Sequence, residues 1–119
     1  MSEISEDFQQ AVFAKLSEIQ LHITQKIFKD VVAYTPIETG RARAGWNVSL
    51  GVPDPEVPVV GKGSYPEPVM EVSRIVPFSV SYVSNNLPYI EQLEFGDSQR
   101  AAYGMLRRAL QNILEEGGV

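Results

Sequence analysis

The chain has 119 residues, a formal net charge of −5 and an isoelectric point near 4.8. This length predicts a single domain over residues 1–119 with a modest core. The sequence also lacks an apolar run of about 20 residues for a membrane span, a secretory signal, and cysteines for disulfides.

The first predicted element is a long helix from about Ser5 to Tyr34. Its apolar residues recur at steps of three and four and form one stripe: Phe8, Val12, Leu16, Ile19, Ile23, Ile27 and Val31. Ser5 is suited to the N-cap, and Pro36 ends the helix because it pushes the preceding residue out of the helical region. Such a helix is roughly 45 Å long. We therefore expect part of it to pack on a neighbour or to project.

Two phenylalanines of this helix, Phe13 and Phe28, lie off the main stripe. One interpretation is that they widen the face that packs on the core. The other is that they form a second face, which contacts another subunit.

A turn over residues 35–40 leads through residues 41–45 into a strand over residues 46–52, in which Trp46 begins an apolar alternation of period two. Residues 53–68 hold five of the eight prolines and form a long loop rather than a central strand. This loop is either a hairpin tip or an arm that becomes ordered against another subunit or another ring. In the second case its contact residues are Val59, Val60 and Tyr65.

A second strand is predicted over about residues 69–83, and a short element follows over residues 89–95. Asp97 or Ser98 is suited to cap a final helix that runs to about Glu115. The order of elements predicts an α+β fold, with a long N-terminal helix and a C-terminal helix packed on a small antiparallel β-sheet, and with a long proline-rich loop.

Catalytic chemistry is not indicated. The chain has no cysteine, and its one histidine, His22, has no partner at helical spacing for a metal site. Residues 61–64 (GKGS) lack the spacing and the strand-to-helix context of a phosphate-binding loop. A small hydrolase or nuclease therefore fits the sequence poorly, and we expect no enzyme activity, cofactor or metal.

The charged residues suggest contacts instead. Glu91 and Glu94 are three residues apart, which favours a solvated face or an interface salt bridge. The arginines form two sets: Arg41 with Arg43, and Arg100 with Arg107 and Arg108. They are suited to a solvated surface, to carboxylates of a neighbouring subunit, or to DNA phosphates. The acidic net charge argues against general nucleic-acid binding, although DNA could slide past an acidic wall.

Three stretches together resemble a known family. They are residues 34–46 (YTPIETGRARAGW), residues 86–96 (NLPYIEQLEFG) and residues 102–110 (AYGMLRRAL). Their order and spacing are similar to those of tail-completion and head–tail joining proteins of long-tailed phages, including the minor tail protein Z type. Ile90 departs from the alanine that is common there.

The resemblance implies a structural virion protein that forms a ring at the head–tail interface, with DNA passing through its lumen. Its partners would be copies of itself, in six-fold or twelve-fold symmetry, and the neighbouring connector and tail-tube or terminator proteins. The protein would assemble in the host cytoplasm and reside in the tail or neck of the virion. A tail terminator, a head-side stopper ring and a non-virion protein-binding adaptor are the alternatives.

Overall fold

A computed structural model describes residues 5–37, 40–58, 65–98 and 101–117. Its elements in chain order are α1 (Glu6–Tyr34), α2 (Arg41–Ala44), β1 (Trp46–Leu50), β2 (Ser81–Asn85), α3 (Ile90–Phe95) and α4 (Met105–Glu115). The long N-terminal helix, the C-terminal helix and the two-stranded antiparallel sheet confirm the α+β fold.

The bounds of α1 agree with the sequence prediction. The Ser5 hydroxyl accepts a hydrogen bond from the Phe8 amide at 3.2 Å, which satisfies one of the amides left open in the first turn. At the other end, Thr35 adopts an extended conformation before Pro36. Its hydroxyl donates back to the Val31 carbonyl at 2.6 Å, so the end of the helix is closed by a side chain.

The sheet is smaller than predicted, because β2 covers only the end of the expected second strand. β1 and β2 pair antiparallel, with Trp46 opposite Asn85 and Leu50 opposite Ser81. No strand forms over residues 69–80. The Gly51 amide still donates to the Val80 carbonyl at 2.8 Å. With a φ of 82°, Gly51 then turns the chain away, so residues 69–79 have no partner strand in the described chain. Pro77 also lacks the amide donor that a sheet ladder needs.

The final helix also differs from its prediction, since α4 begins at Met105 and not after Asp97 or Ser98. The chain before it is held to α3 instead. The amide of Tyr103 donates to the Leu93 carbonyl at 2.8 Å, and the amide of Gly104 donates to the Glu94 carbonyl at 3.1 Å. Gly104 enters the helix with a φ of 62°, a conformation that glycine adopts without a Cβ clash.

The core lies where the C-terminal half of α1 meets the three motif stretches. Each stretch contributes buried side chains: Ala42 and Trp46, Leu87 and Leu93, and Met105 and Ala109. They pack with Phe28, Val31 and Val32 of α1. Trp46 is buried, and its indole nitrogen donates to the Thr35 hydroxyl at 2.8 Å, so the strand entry is fixed to the end of α1.

Candidate functional site

The main candidate site is an apolar surface on the N-terminal half of α1, which we name the uncovered stripe. It consists of Phe8, Val12, Leu16, Ile19 and Ile23. Phe8 and Leu16 are 57% and 50% exposed, and Ile19 and Ile23 are half-buried. Large apolar side chains at a regular spacing on one exposed helix face are typical of a contact surface for another protein.

The uncovered stripe continues into a shallow groove of about 410 Å³ on the body of the protein. Ile23 and Ile27 of α1 line it together with Val83 of β2 and Leu106 and Leu110 of α4. The apolar surface therefore extends beyond the projecting end of α1 onto the face formed by α1, β2 and α4.

The polar edge of the groove is ordered by hydrogen bonds between α1 and the chain leading into β2. The Gln20 amide donates to the Ser79 carbonyl at 3.0 Å and to the Ser81 hydroxyl at 3.3 Å. The hydroxyls of Thr24 and Ser81 lie 3.0 Å apart and share a hydrogen bond. These contacts hold the wall of the groove in place, so the groove is a built feature of the fold.

The uncovered stripe ends where α4 begins to cover α1. The Asn112 amide donates to the Asp30 carboxylate at 3.2 Å, and the Arg108 guanidinium lies 4.1 Å from the centre of the Tyr34 ring. Lys26 contacts the Asp30 carboxylate at 3.3 Å and the Glu116 carboxylate at 3.6 Å. The helix α4 has 11 residues and α1 has 29, so α4 covers only the C-terminal part of its partner.

Carboxylates raise the pKa of Lys26 above its ordinary value. The largest cause is its hydrogen bond to Asp30, followed by the charge of Asp30, with Glu116 adding smaller effects. The ammonium form is therefore favoured at the junction of the two helices.

The two phenylalanines that lie off the stripe are used within the chain. Phe28 is 7% exposed in the core, so the interpretation as a core face applies to it, and it is not available to a neighbouring subunit. Phe13 packs edge-on against Phe78, with ring centres 4.9 Å apart. Phe78 has a φ of 66°, unusual for a bulky residue, and this contact on α1 positions it.

The predicted interface arginines of the first set hold the turn after α1. Arg43 donates to the carbonyls of Thr35 and Ala33 at 2.9 and 3.3 Å. Arg41 donates to the Pro58 carbonyl at 3.2 and 3.1 Å. Both side chains thus act inside the subunit, where they fix the corner that leads into α2 and β1.

Two arginines of the second set, Arg107 and Arg108, lie on α4 itself. Arg108 packs on Tyr34, and Arg107 contacts Glu94. Arg100, Val59 and Val60 lie outside the described residues, so their predicted contacts stay predictions.

The described ends of the proline-rich loop are attached to the body. The Asn86 amide donates to the carbonyls of Asp54 and Glu56 at 2.6 and 3.1 Å. Tyr65 is half-buried, and a Cβ added to Gly40 would lie 3.5 Å from its carbonyl oxygen. These attachments anchor the base of the loop. The hairpin-tip and arm interpretations both stay predictions.

Glu94 has a role that sequence reasoning missed. It is 6% exposed, and its carboxylate accepts hydrogen bonds from the Leu106 amide at 2.8 Å and from the amide and guanidinium of Arg107 at 3.3 and 3.1 Å. It therefore caps α4 from α3, whereas Glu91 is exposed. In the sequence, Gly104 is the residue that could have indicated this role. Gly104 is the N-cap of α4, and a glycine has no side chain to cap the helix, so the cap has to come from elsewhere.

In the described part of the chain, no group of three or more His, Cys, Asp or Glu side chains could hold a metal ion. His22 is exposed on α1 beside Lys15 and Glu18. Among the described helices, none combines the length and the apolar character needed to cross a bilayer.

Comparison with known proteins gives no match, whether with protein-family models, curated proteins or solved structures.

Proposed function

We propose that this chain is a structural subunit of a phage head–tail interface, where it forms a ring with copies of itself. The observation that carries the proposal is the uncovered stripe. A helix whose apolar face is covered over only half its length belongs to a molecule that is completed by another protein surface.

The exposed area supports an assembled state. The chain exposes 8124 Å², whereas a compact monomer of 13.2 kDa exposes about 6,400 Å². The excess of about 1,700 Å² reflects an open, elongated surface. A subunit in a ring contacts two neighbours, and an elongated surface offers room for both contacts.

The elongated shape is consistent with the same role. The radius of gyration is 17.3 Å, compared with about 13.5 Å for a compact domain of this length. The molecule measures 62 × 29 × 18 Å, and α1 alone is roughly 44 Å long. An elongated subunit can reach across a neighbour in a way that a compact one cannot.

The position at the head–tail interface rests on the resemblance of the three motif stretches to tail-completion and head–tail joining proteins. All three contribute to one core, where Trp46, Leu87 and Met105 are buried together. The residues of these motifs are used to build the core, which is consistent with a structural protein. The partners would be the neighbouring connector and tail-tube or terminator proteins, and the net charge of −5 would let DNA pass through the lumen without binding.

The adaptor alternative has less support. It requires a second contact face on α1, built around Phe13 and Phe28. Phe28 is in the core and Phe13 is packed against Phe78, so that face is engaged within the chain.

Cryo-electron microscopy of purified particles tests the proposal. We expect density for this chain as a closed ring around the DNA channel, and we expect phages that lack the gene to accumulate free heads beside unjoined tails of normal length. Overlong tails would indicate a terminator instead. Absence of the chain from the whole particle would overturn the proposal.

A pair of variants links the ring to the uncovered stripe. Leu16→Asp places a charge in the stripe, whereas Val69→Asp changes a side chain that is 80% exposed and lies outside it. We expect only the first to abolish incorporation into particles. Equal incorporation of both variants would show that the stripe is not part of the ring contact.

A further inference from the structure

The uncovered stripe also determines how the chain can meet itself before assembly. We propose that the free chain forms a two-fold homodimer in which the N-terminal halves of two α1 helices pack antiparallel along their uncovered stripes. This state goes beyond the ring, because a two-fold contact uses the same patch on both copies and closes at two. The dimer therefore has to open when a subunit enters a ring.

The position of α4 decides which arrangement fits. On α1, the face of the uncovered stripe continues toward Asp30 and Tyr34, where Asn112 and Arg108 of α4 occupy it. A second helix can therefore lie only over residues 8–23. In a parallel pair, the α4 helices and the sheets of both copies would lie at the same end of the pair, and they would collide there. An antiparallel partner places the two bodies at opposite ends.

The spacing of the stripe suits this antiparallel register. Its five apolar positions follow at steps of four, four, three and four, which read almost the same in reverse. With the two-fold axis next to Leu16, Phe8 faces Ile23 of the partner subunit, and Val12 faces Ile19 of the partner subunit. Leu16 then packs beside its own copy, and each large side chain has an apolar neighbour.

Charges along the contact both favour and oppose it. Lys15 and Glu18, beside the stripe, form an ion pair at 3.3 Å with both side chains 72% exposed, so neither is a lone charge. The partner's α1 would begin where α4 ends, at Glu115, and run in the same direction as α4, so the negative end of one helix dipole meets the positive end of the next. The acidic first turn of that partner helix, Glu6 and Asp7, would also lie near Glu115 and Glu116, and this repulsion is a further reason to expect a weak dimer.

The size of the contact sets its strength. The paired segments span about 16 residues, or roughly 24 Å of helix. A single helix pair of this length falls at the low end of specific interfaces, below about 1,200 Å² in total. We therefore expect a concentration-dependent dimer, which can exchange its contact for those of a ring.

Cysteine cross-linking tests the register directly, because the chain has no cysteine of its own. A disulfide requires Cα atoms within about 7 Å. We expect Leu16→Cys to form a disulfide dimer on mild oxidation. A mixture of Phe8→Cys chains and Ile23→Cys chains should form a mixed dimer, although neither variant links efficiently alone. Val69→Cys, on an exposed side chain outside the stripe, serves as the control.

Several outcomes would overturn the dimer. Efficient linking of Phe8→Cys to itself would show a parallel pair, and linking of Val69→Cys at the same rate would show random collision. Sedimentation equilibrium that gives one chain mass at all concentrations, without a Leu16→Cys cross-link, would show that no dimer forms. The neck density tests the ring separately, so either proposal can fail while the other stands.

Discussion

The two halves of α1 carry the same apolar repeat in opposite surroundings. In the C-terminal half, Val31 of this repeat is fully buried, whereas Phe8 and Leu16 in the N-terminal half are largely exposed. The helix is equally regular in both halves. A hydrophobic period therefore indicates which face of a helix will be buried, but what covers that face depends on the rest of the chain.

The physical reason is a difference in length. The 29 residues of α1 make a helix roughly 44 Å long, whereas the 11 residues of α4, which covers it, reach only roughly 16 Å. The three motif stretches and α4 fill the space beside the C-terminal half. Beside the N-terminal half, residues 73–78 pack on another side of the helix, with Phe78 against Phe13.

The largest expected effect comes from truncating one phenylalanine in each half. Phe28→Ala removes a ring from the core and should lower the free energy of unfolding by about 3–5 kcal/mol. Phe8→Ala removes an exposed ring and should change it by less than about 0.5 kcal/mol. Urea denaturation at concentrations where the chain is monomeric measures both. Equal losses would mean that the N-terminal half is covered within the subunit.

A smaller effect is expected from the cap that fixes α4 over the C-terminal half. Glu94→Gln keeps the size of the side chain but removes the charge that accepts from the Leu106 and Arg107 amides. It should cost about 1.5–3 kcal/mol of stability. The matched variant Glu91→Gln, on an exposed residue of the same helix, should be nearly neutral. If the two variants lose the same stability in urea, Glu94 does not act as the cap.

The smallest effect concerns pH at the junction of α1 and α4. The pKa of Lys26 is raised in the folded chain, mainly by its hydrogen bond to Asp30. The stabilisation is therefore complete below the ordinary value of 10.5 and is lost as the pH rises through the folded pKa. We expect the difference in Tm between the native chain and Lys26→Met to shrink above that ordinary value.

Thermal unfolding followed by circular dichroism, from neutral to strongly alkaline pH, measures this difference. Lys15→Met is the control, because the ion pair of Lys15 with Glu18 is largely exposed and contributes little. A difference for Lys26→Met that stays constant across the alkaline range would contradict the assignment.

Local sequence signals predicted α1 well. Ser5, the apolar steps of three and four, and Pro36 lie within or next to the helix itself, and both ends appear where these residues place them. The burial of Trp46 could likewise be predicted from its position at the start of an alternating strand. The exposure of Phe8 could not be predicted from its own position in the helix. Only the excess length of the helix indicated that some part of it would project.

Elements that depend on distant partners were predicted less well. The alternation over residues 69–80 has the composition of a strand, but β1 is five residues long and the pairing ends at the hydrogen bond from the Gly51 amide to the Val80 carbonyl. The start of α4 was placed at Asp97 or Ser98 because these residues are good N-caps. The cap comes instead from the carboxylate of Glu94, whose place beside Leu106 depends on the packing of α3 against α4.

The sequence by itself determined the elements whose signals are local: the extent of α1, the face that is apolar, and the α+β order of the chain. Only the tertiary structure decided which part of that face is covered, which arginines are used inside the subunit, and where α4 begins. The reason is that a helix forms from contacts within a few residues, whereas covering an apolar face requires another part of the chain, or another chain, to arrive at it.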